Sequence, residues 1–161
     1  MKPNSKVLEN LQSALSMELA AALQYLLHAH VLEKWGLDQL VVEMREEMQE
    51  ELGHADNYMN RIMFLNGSPQ LTPAKTPQRS QTLKDMFEAD LADEKGAIRF
   101  YTEAAEAAVA AGDIGTRTLF EKIVLDEEGH LAWLELQLDL LDRIGEQAYV
   151  AKNVTIARDT V

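Results

Sequence analysis

The chain has 161 residues, 47% of them apolar and 26% charged, a balance that fits one domain with a packed core and excludes a disordered or fibrous chain. It has no cysteine, which excludes disulfides, iron–sulfur clusters, thiolate zinc sites and cysteine nucleophiles. Twenty-seven acidic against fifteen basic side chains give a net charge of −12, which repels phosphate backbones and attracts cations, so no nucleic-acid partner is expected.

In chain order, the first predicted element is a helix over about 5–34. Its seam of Leu8, Leu11, Leu15, Glu18, Ala22, Tyr25, Ala29 and Leu32 follows 3-4 spacing. Trp35-Gly36-Leu37 interrupts it, and a second helix is expected over about 38–65, with Met44, Met48, Glu51, Ala55, Tyr58, Ile62 and Leu65 on one stripe. The stretch from Asn66 to Pro77 holds three prolines and cannot continue a helix. Thr82 with Asp85 resembles a capping box opening a third helix, about 83–111, whose seam is Phe87, Leu91, Glu94, Ile98, Tyr101 and Ala105. Asp113 can cap a fourth helix over about 114–143, lined by Phe120, Val124, Glu127, His130, Leu134, Leu138 and Leu141. Gly145 is placed to close it, and a short fifth helix is expected over about 146–156. Two short turns and one long connection give an all-α, four-helix bundle with a lengthwise crossover, forming a single domain over 1–161. No apolar run approaches the ~18 residues of a membrane span and no signal peptide opens the chain, so the expected setting is the cytoplasm, without a membrane partner.

Every seam carries an acid near its middle. An unpaired buried carboxylate costs several kcal/mol, so each must be protonated, paired or bound to a cation. Glu51 and His54 form Glu-x-x-His, as do Glu127 and His130, and a Glu stands 33 residues before each bridging candidate: Glu18 before Glu51, Glu94 before Glu127. Tyr25 and Tyr101 also match, as do Ala21 and Ala97, so the halves repeat at an offset of 76 (94 − 18). With 17 glutamates in the chain a lone Glu-x-x-His carries little weight, but its recurrence with a seam Glu at equal offset points to a dinuclear metal site. Two divalent cations carry +4, matching four carboxylates, and the oxygen-rich set with two imidazoles suits Fe(II), Mn(II) or Zn(II) better than Cu(I). Glu50 and Asp126, each four residues before a ligand histidine, are candidates to orient an imidazole across the bundle. Tyr25 and Tyr101 are candidates for hydrogen bonds to ligand carboxylates or for a redox role. His28 and His30 lack a Glu-x-x-His partner and are read as packing or surface histidines.

The segments Gly36-Leu37, Glu51-x-x-His54-Ala55-Asp56, Phe64-Leu65-x-Gly67-x-Pro69-x-Leu71 and Asp126-Glu127-Glu128-Gly129-His130-x-x-Trp133-Leu134-Glu135 resemble the bacterioferritins, within the ferritin-like di-iron proteins. The resemblance runs from Met1 to about Tyr149. It implies a ferroxidase that stores iron as a ferric mineral in a hollow homo-oligomeric shell of 24 subunits. Glu18 and His54 would hold one iron and Glu94 and His130 the other, with Glu51 and Glu127 bridging. The family's haem is held between paired subunits by a methionine immediately after the first bridging Glu. Here that residue is Leu52, with no lone pair to offer, so a shell of this chain alone is expected to hold no haem or only sparse haem. A mixed shell with a methionine-bearing subunit would supply the ligand. The alternative reading is a di-iron peroxidase or oxidase of rubrerythrin-like type that does not mineralise. A DNA-protecting shell fits less well, because its basic tail is missing.

Overall fold

The computed structural model describes residues 4–154, which form five helices and no strand. They are α1 (Ser5–Trp35), α2 (Asp38–Phe64), α3 (Leu83–Ala110), α4 (Ile114–Ile144) and α5 (Glu146–Asn153). The helix ends follow from local chemistry. Asn4 Oδ1 accepts from Lys6 N at 2.9 Å to start α1, and Asp113 Oδ1 accepts from Thr116 N at 3.0 Å to start α4. Thr82 Oγ1 accepts from Asp85 N at 3.0 Å, so of the expected capping box only this bond is formed among the described residues. Gly36 and Gly112 take positive φ (76° and 70°), and each is followed by an N–H that reaches back five residues, the Schellman ending that favours glycine. Asn66 does the same for α2 at φ 58°. The fifth helix ends at Asn153; of its expected span, residues 155 and 156 lie outside the described residues.

A two-residue turn makes α1 and α2 one antiparallel pair, and a three-residue turn does the same for α3 and α4. Residues 65–82 then carry the chain the length of the bundle along α1. Three contacts hold this crossover down. The Gln12 side-chain amide exchanges two 2.8 Å bonds with the backbone of Gln70, the Gln24 amide does likewise with Gln78, and Ala74 N donates to Ser16 O at 2.8 Å. At the other side of the bundle, Arg61 of α2 donates to Asp113 and Thr116 and ties α2 to the start of α4. Gly115 leaves room for that guanidinium, since a Cβ there would sit 2.7 Å from it.

Two apolar clusters fill the interior. One gathers Leu11, Leu15, Tyr58, Ile62, Tyr101 and Phe120; the other gathers Leu32, Met44, Met86, Phe87, Leu134 and Tyr149. Of the expected seam residues, Leu8, Met48, Leu91, Ile98, Val124 and Leu138 are only half-buried, because they stand at the edge of each stripe rather than on its centre line. Between the two clusters, at mid-height, lies a layer that is not apolar. No described helix is long and apolar enough to cross a membrane.

Candidate metal centre

Glu18 from α1, Glu51 and His54 from α2, Glu94 from α3, and Glu127 and His130 from α4 meet in that layer. None is more than 7% exposed. They fall into two overlapping groups: Glu18, Glu51, His54 and Glu127 form one, and Glu51, Glu94, Glu127 and His130 the other. Within each group the four ligand atoms lie within 4.8 Å of one another, and Glu51 and Glu127 belong to both. His54 Nδ1 is 3.2 Å from Glu51, 3.3 Å from Glu127 and 3.7 Å from Glu18. His130 Nδ1 is 3.1 Å from Glu127, 3.4 Å from Glu51 and 3.8 Å from Glu94. Both imidazoles therefore present the same nitrogen to the carboxylates, as the one-turn spacing of Glu-x-x-His requires.

Four carboxylates in a dry layer cannot all be charged without cations, and burial pushes two of them, Glu18 and Glu94, upward. Burial, then the charge of Glu51, raises the Glu18 carboxyl well above its ordinary range. Burial, then Glu127 and Glu51 against the bond to His130, lifts Glu94 to about 8. Burial would also raise Glu51, but hydrogen bonding to Glu18, His130 and His54 outweighs it and holds that carboxyl at about 2. At His54 and His130 burial disfavours the charged ring, yet the close carboxylates, led by Glu127, reverse this and raise both. Protons thus do here what cations would otherwise do. Glu51 Oε1, Glu127 Oε2 and His130 Nδ1 are buried without a hydrogen-bond partner, and all three belong to the second of the two groups. Unpartnered polar atoms of this kind are costly in a core, and a cation taking the place of the imidazole proton would satisfy them, so the ligand set fits a metal pair.

Two tyrosines beside these six residues obey the 76-residue repeat. Tyr25 donates to Glu94 Oε1 at 2.5 Å, and Tyr101 donates to Glu18 Oε1 at 2.6 Å, each across from α1 to α3 or back. Burial, with Glu94 at Tyr25 and Glu18 at Tyr101, keeps both phenols protonated and hence donors. Asp126 lies 3.3 Å from His54 Nε2, across the bundle as expected. Glu50 is 3.5 Å from His130 Nε2, but Glu47 stands closer, at 2.7 Å. That contact is misaligned as a hydrogen bond, and its two atoms remain unpartnered. Glu47 was not foreseen. Its position four residues before Glu51, on the same face of α2, was the available signal. Tyr58 is fully buried against Tyr101 and Phe120, and its hydroxyl has no partner among the described residues.

His28 and His30 stay outside the cluster. His30 is exposed beside Glu33. His28 is fully buried, 3.0 Å from Asp90, and its other nitrogen lies 2.7 Å from the Gln24 amide. Since Gln24 Oε1 already accepts from Gln78 N, the amide nitrogen faces His28, which places the imidazole proton on the side of Asp90. Leu52 is 42% exposed on the outer face of α2.

Residues 8–144 match the ferritin-like domain family. Among characterised proteins, the chain is 43% identical to bacterioferritin of Brucella melitensis over 98% of both chains, and 40% identical to that of Rhodobacter capsulatus over 95% of both. The solved R. capsulatus bacterioferritin, described with a metal-free dinuclear site and haem iron in a crystallographic special position, superposes with a TM-score of 0.95 at 39% identity over the whole of both chains. Mycobacterium tuberculosis bacterioferritin superposes with a TM-score of 0.93 at 36% identity, over 96% of this chain and 98% of that one. With a five-helix bundle shared along its full length and this degree of identity, the chain belongs to the ferritin-like family, among the bacterioferritins.

Proposed function

We propose that this protein stores and detoxifies iron: each chain oxidises Fe(II) with O2 or peroxide at a two-iron site and delivers the ferric product to a mineral inside a protein shell. The observation that carries the reading is the pair of four-residue groups sharing Glu51 and Glu127. Glu18 and His54 would hold one metal and Glu94 and His130 the other, with Glu51 and Glu127 shared between them. Two Fe(II) ions held there would each give up one electron, two in all, to one oxidant molecule. The chain's own residues prepare that chemistry. Four glutamates against +4 make the loaded layer neutral, which a low-dielectric interior tolerates. Tyr25 and Tyr101 fix the terminal carboxylates Glu94 and Glu18 by donated hydrogen bonds. Asp126, Glu47 and Glu50 face the outer nitrogens of the imidazoles and so leave Nδ1 free for the metal.

The assembly is a homo-oligomeric shell of 24 subunits, by analogy with the bacterioferritins. The R. capsulatus relative carries haem iron; with Leu52 in place of the thioether ligand, a shell made of this chain alone holds little or no haem, and a mixed shell gains it from a methionine-bearing subunit. Loading Fe(II) anaerobically and admitting O2 tests the reading. Fast oxidation should saturate near two irons per chain, and Glu51→Ala and Glu127→Ala should each abolish the fast phase. An unchanged burst in both variants would overturn the assignment. Native mass reports the shell in the same preparation.

A further inference from the structure

The metal layer is buried but not sealed. A cavity of about 240 Å3 reaches down from the crossover, between α1 and α3, to the carboxylates of Glu18, Glu51, Glu94 and Glu127. Its walls are small, with Ala21, Gly96 and Ala97 among them, so lack of bulk keeps the passage open. Two charged side chains stand at its mouth. Lys75 Nζ, from the crossover, is 2.5 Å from both carboxylate oxygens of Asp93 on α3, and both side chains are about half-exposed.

The crossover is held where it brings Lys75 to that mouth. Ala74 is bonded to the α1 backbone at Ser16, and the Gln12–Gln70 and Gln24–Gln78 clamps fix the chain on either side. An exposed ion pair adds little to folding stability, so its consequence lies in the field at the opening. A funnel with carboxylates at its base and apolar walls draws cations inward. An ammonium at the rim opposes that field and neutralises Asp93, the residue next to Glu94.

We propose that the Lys75–Asp93 pair is a charge gate that sets the rate at which divalent cations enter this passage. Paired, it flanks the opening and cancels the outermost carboxylate. Parted, it exposes Asp93 as the first acceptor of the incoming ion. Lys75 touches none of the six metal-layer residues, so it controls the rate of filling and leaves final occupancy unchanged. The inference rests on the metal-site reading above, and the test separates the two.

The test uses the assembled protein, Co(II) as probe and the visible absorption of bound Co(II) followed by rapid mixing. Lys75→Gln and Lys75→Glu should fill the site faster by up to about five-fold at low ionic strength, the bias that one exposed ion pair can supply. Asp93→Asn, which leaves the ammonium unopposed, should fill it more slowly. The differences should shrink in ~1 M salt, where charges act over only about 3 Å. Saturation should stay at two Co(II) per chain in the Lys75 variants. Two Co(II) bound at an unchanged or slower rate in both Lys75 variants would overturn the gate alone. Failure of the unmodified protein to bind Co(II) in the metal layer would overturn the gate together with the reading beneath it.

Discussion

Replacing Glu47 by Ala should weaken divalent metal binding more than replacing Glu50, the residue to which the internal repeat points. Glu47 Oε2 is 2.7 Å from His130 Nε2 and its side chain is 14% exposed; Glu50 is 3.5 Å away and 46% exposed. A carboxylate behind a ligand imidazole fixes the ring and raises its basicity, and its loss costs about 10–100-fold in metal affinity, roughly 1.4–2.7 kcal/mol. An exposed acid at the longer distance contributes like a surface pair, no more than about a few-fold. Only the half of the layer that contains His130 is affected, so a Zn(II) titration against a chelating indicator should turn biphasic in Glu47→Ala, with one tight and one weakened ion per chain. Glu47→Gln, which keeps an acceptor and removes the charge, should fall between. Circular dichroism on the metal-free variants checks that the bundle is intact. Equal affinities in Glu47→Ala and the parent, or a larger loss in Glu50→Ala, would refute the reasoning.

Asp113→Ala removes both the α4 cap and the partner of Arg61, and should cost about 2–4 kcal/mol in urea denaturation. Burial opposes the Asp113 charge, but its bonds with Thr116 and Arg61 hold the carboxyl below its ordinary 3.8, so this contribution is present above that pH and is lost as pH falls through the lowered value. For Glu94 the sign is opposite. Burial first lifts it from 4.5 to about 8, so the metal-free fold keeps a proton that the unfolded chain sheds, and stability should fall by up to about 1.4 kcal/mol per unit as pH rises across that window. Metal must displace this proton, so the melting-temperature gain from Zn(II) should grow over the same range. Leu52→Met should add a haem absorption spectrum when haem is abundant during expression, at a stability cost under about 1.5 kcal/mol; a strong haem spectrum from the unmodified protein would contradict the role given to Leu52.

The helices were legible because their ends are written in single residues: Gly36, Gly112 and Asp113 act locally, and the helix bounds of the bundle fall within a residue of expectation. The carboxylate layer was legible because the same acid interrupts four apolar stripes at a matched offset, a pattern that packing alone has no reason to produce. The same symmetry is incomplete among the residues that support the layer. It pairs Glu50 with Asp126, and the structure does bring Asp126 to His54, but the position related to Glu47 is Ile123, so the repeat carried no sign of Glu47. The His28–Asp90 contact was equally hidden, because its members lie 62 residues apart and their repeat mates are Ala104 and Ala14. Lys75 and the two glutamine clamps depend on where the crossover lies across α1 and α3. A loop's path over a bundle leaves no periodic trace in sequence, whereas a seam does.

On the proposed reading, six side chains from four helices hold two metal ions with Glu51 and Glu127 between them. Anomalous diffraction from crystals loaded anaerobically with Fe(II) tests it most directly. Two peaks per chain are expected in the mid-bundle layer, about 3.5–4 Å apart, one beside Glu18 and His54 and the other beside Glu94 and His130. A single peak there, or iron only at acidic surface positions, would contradict it.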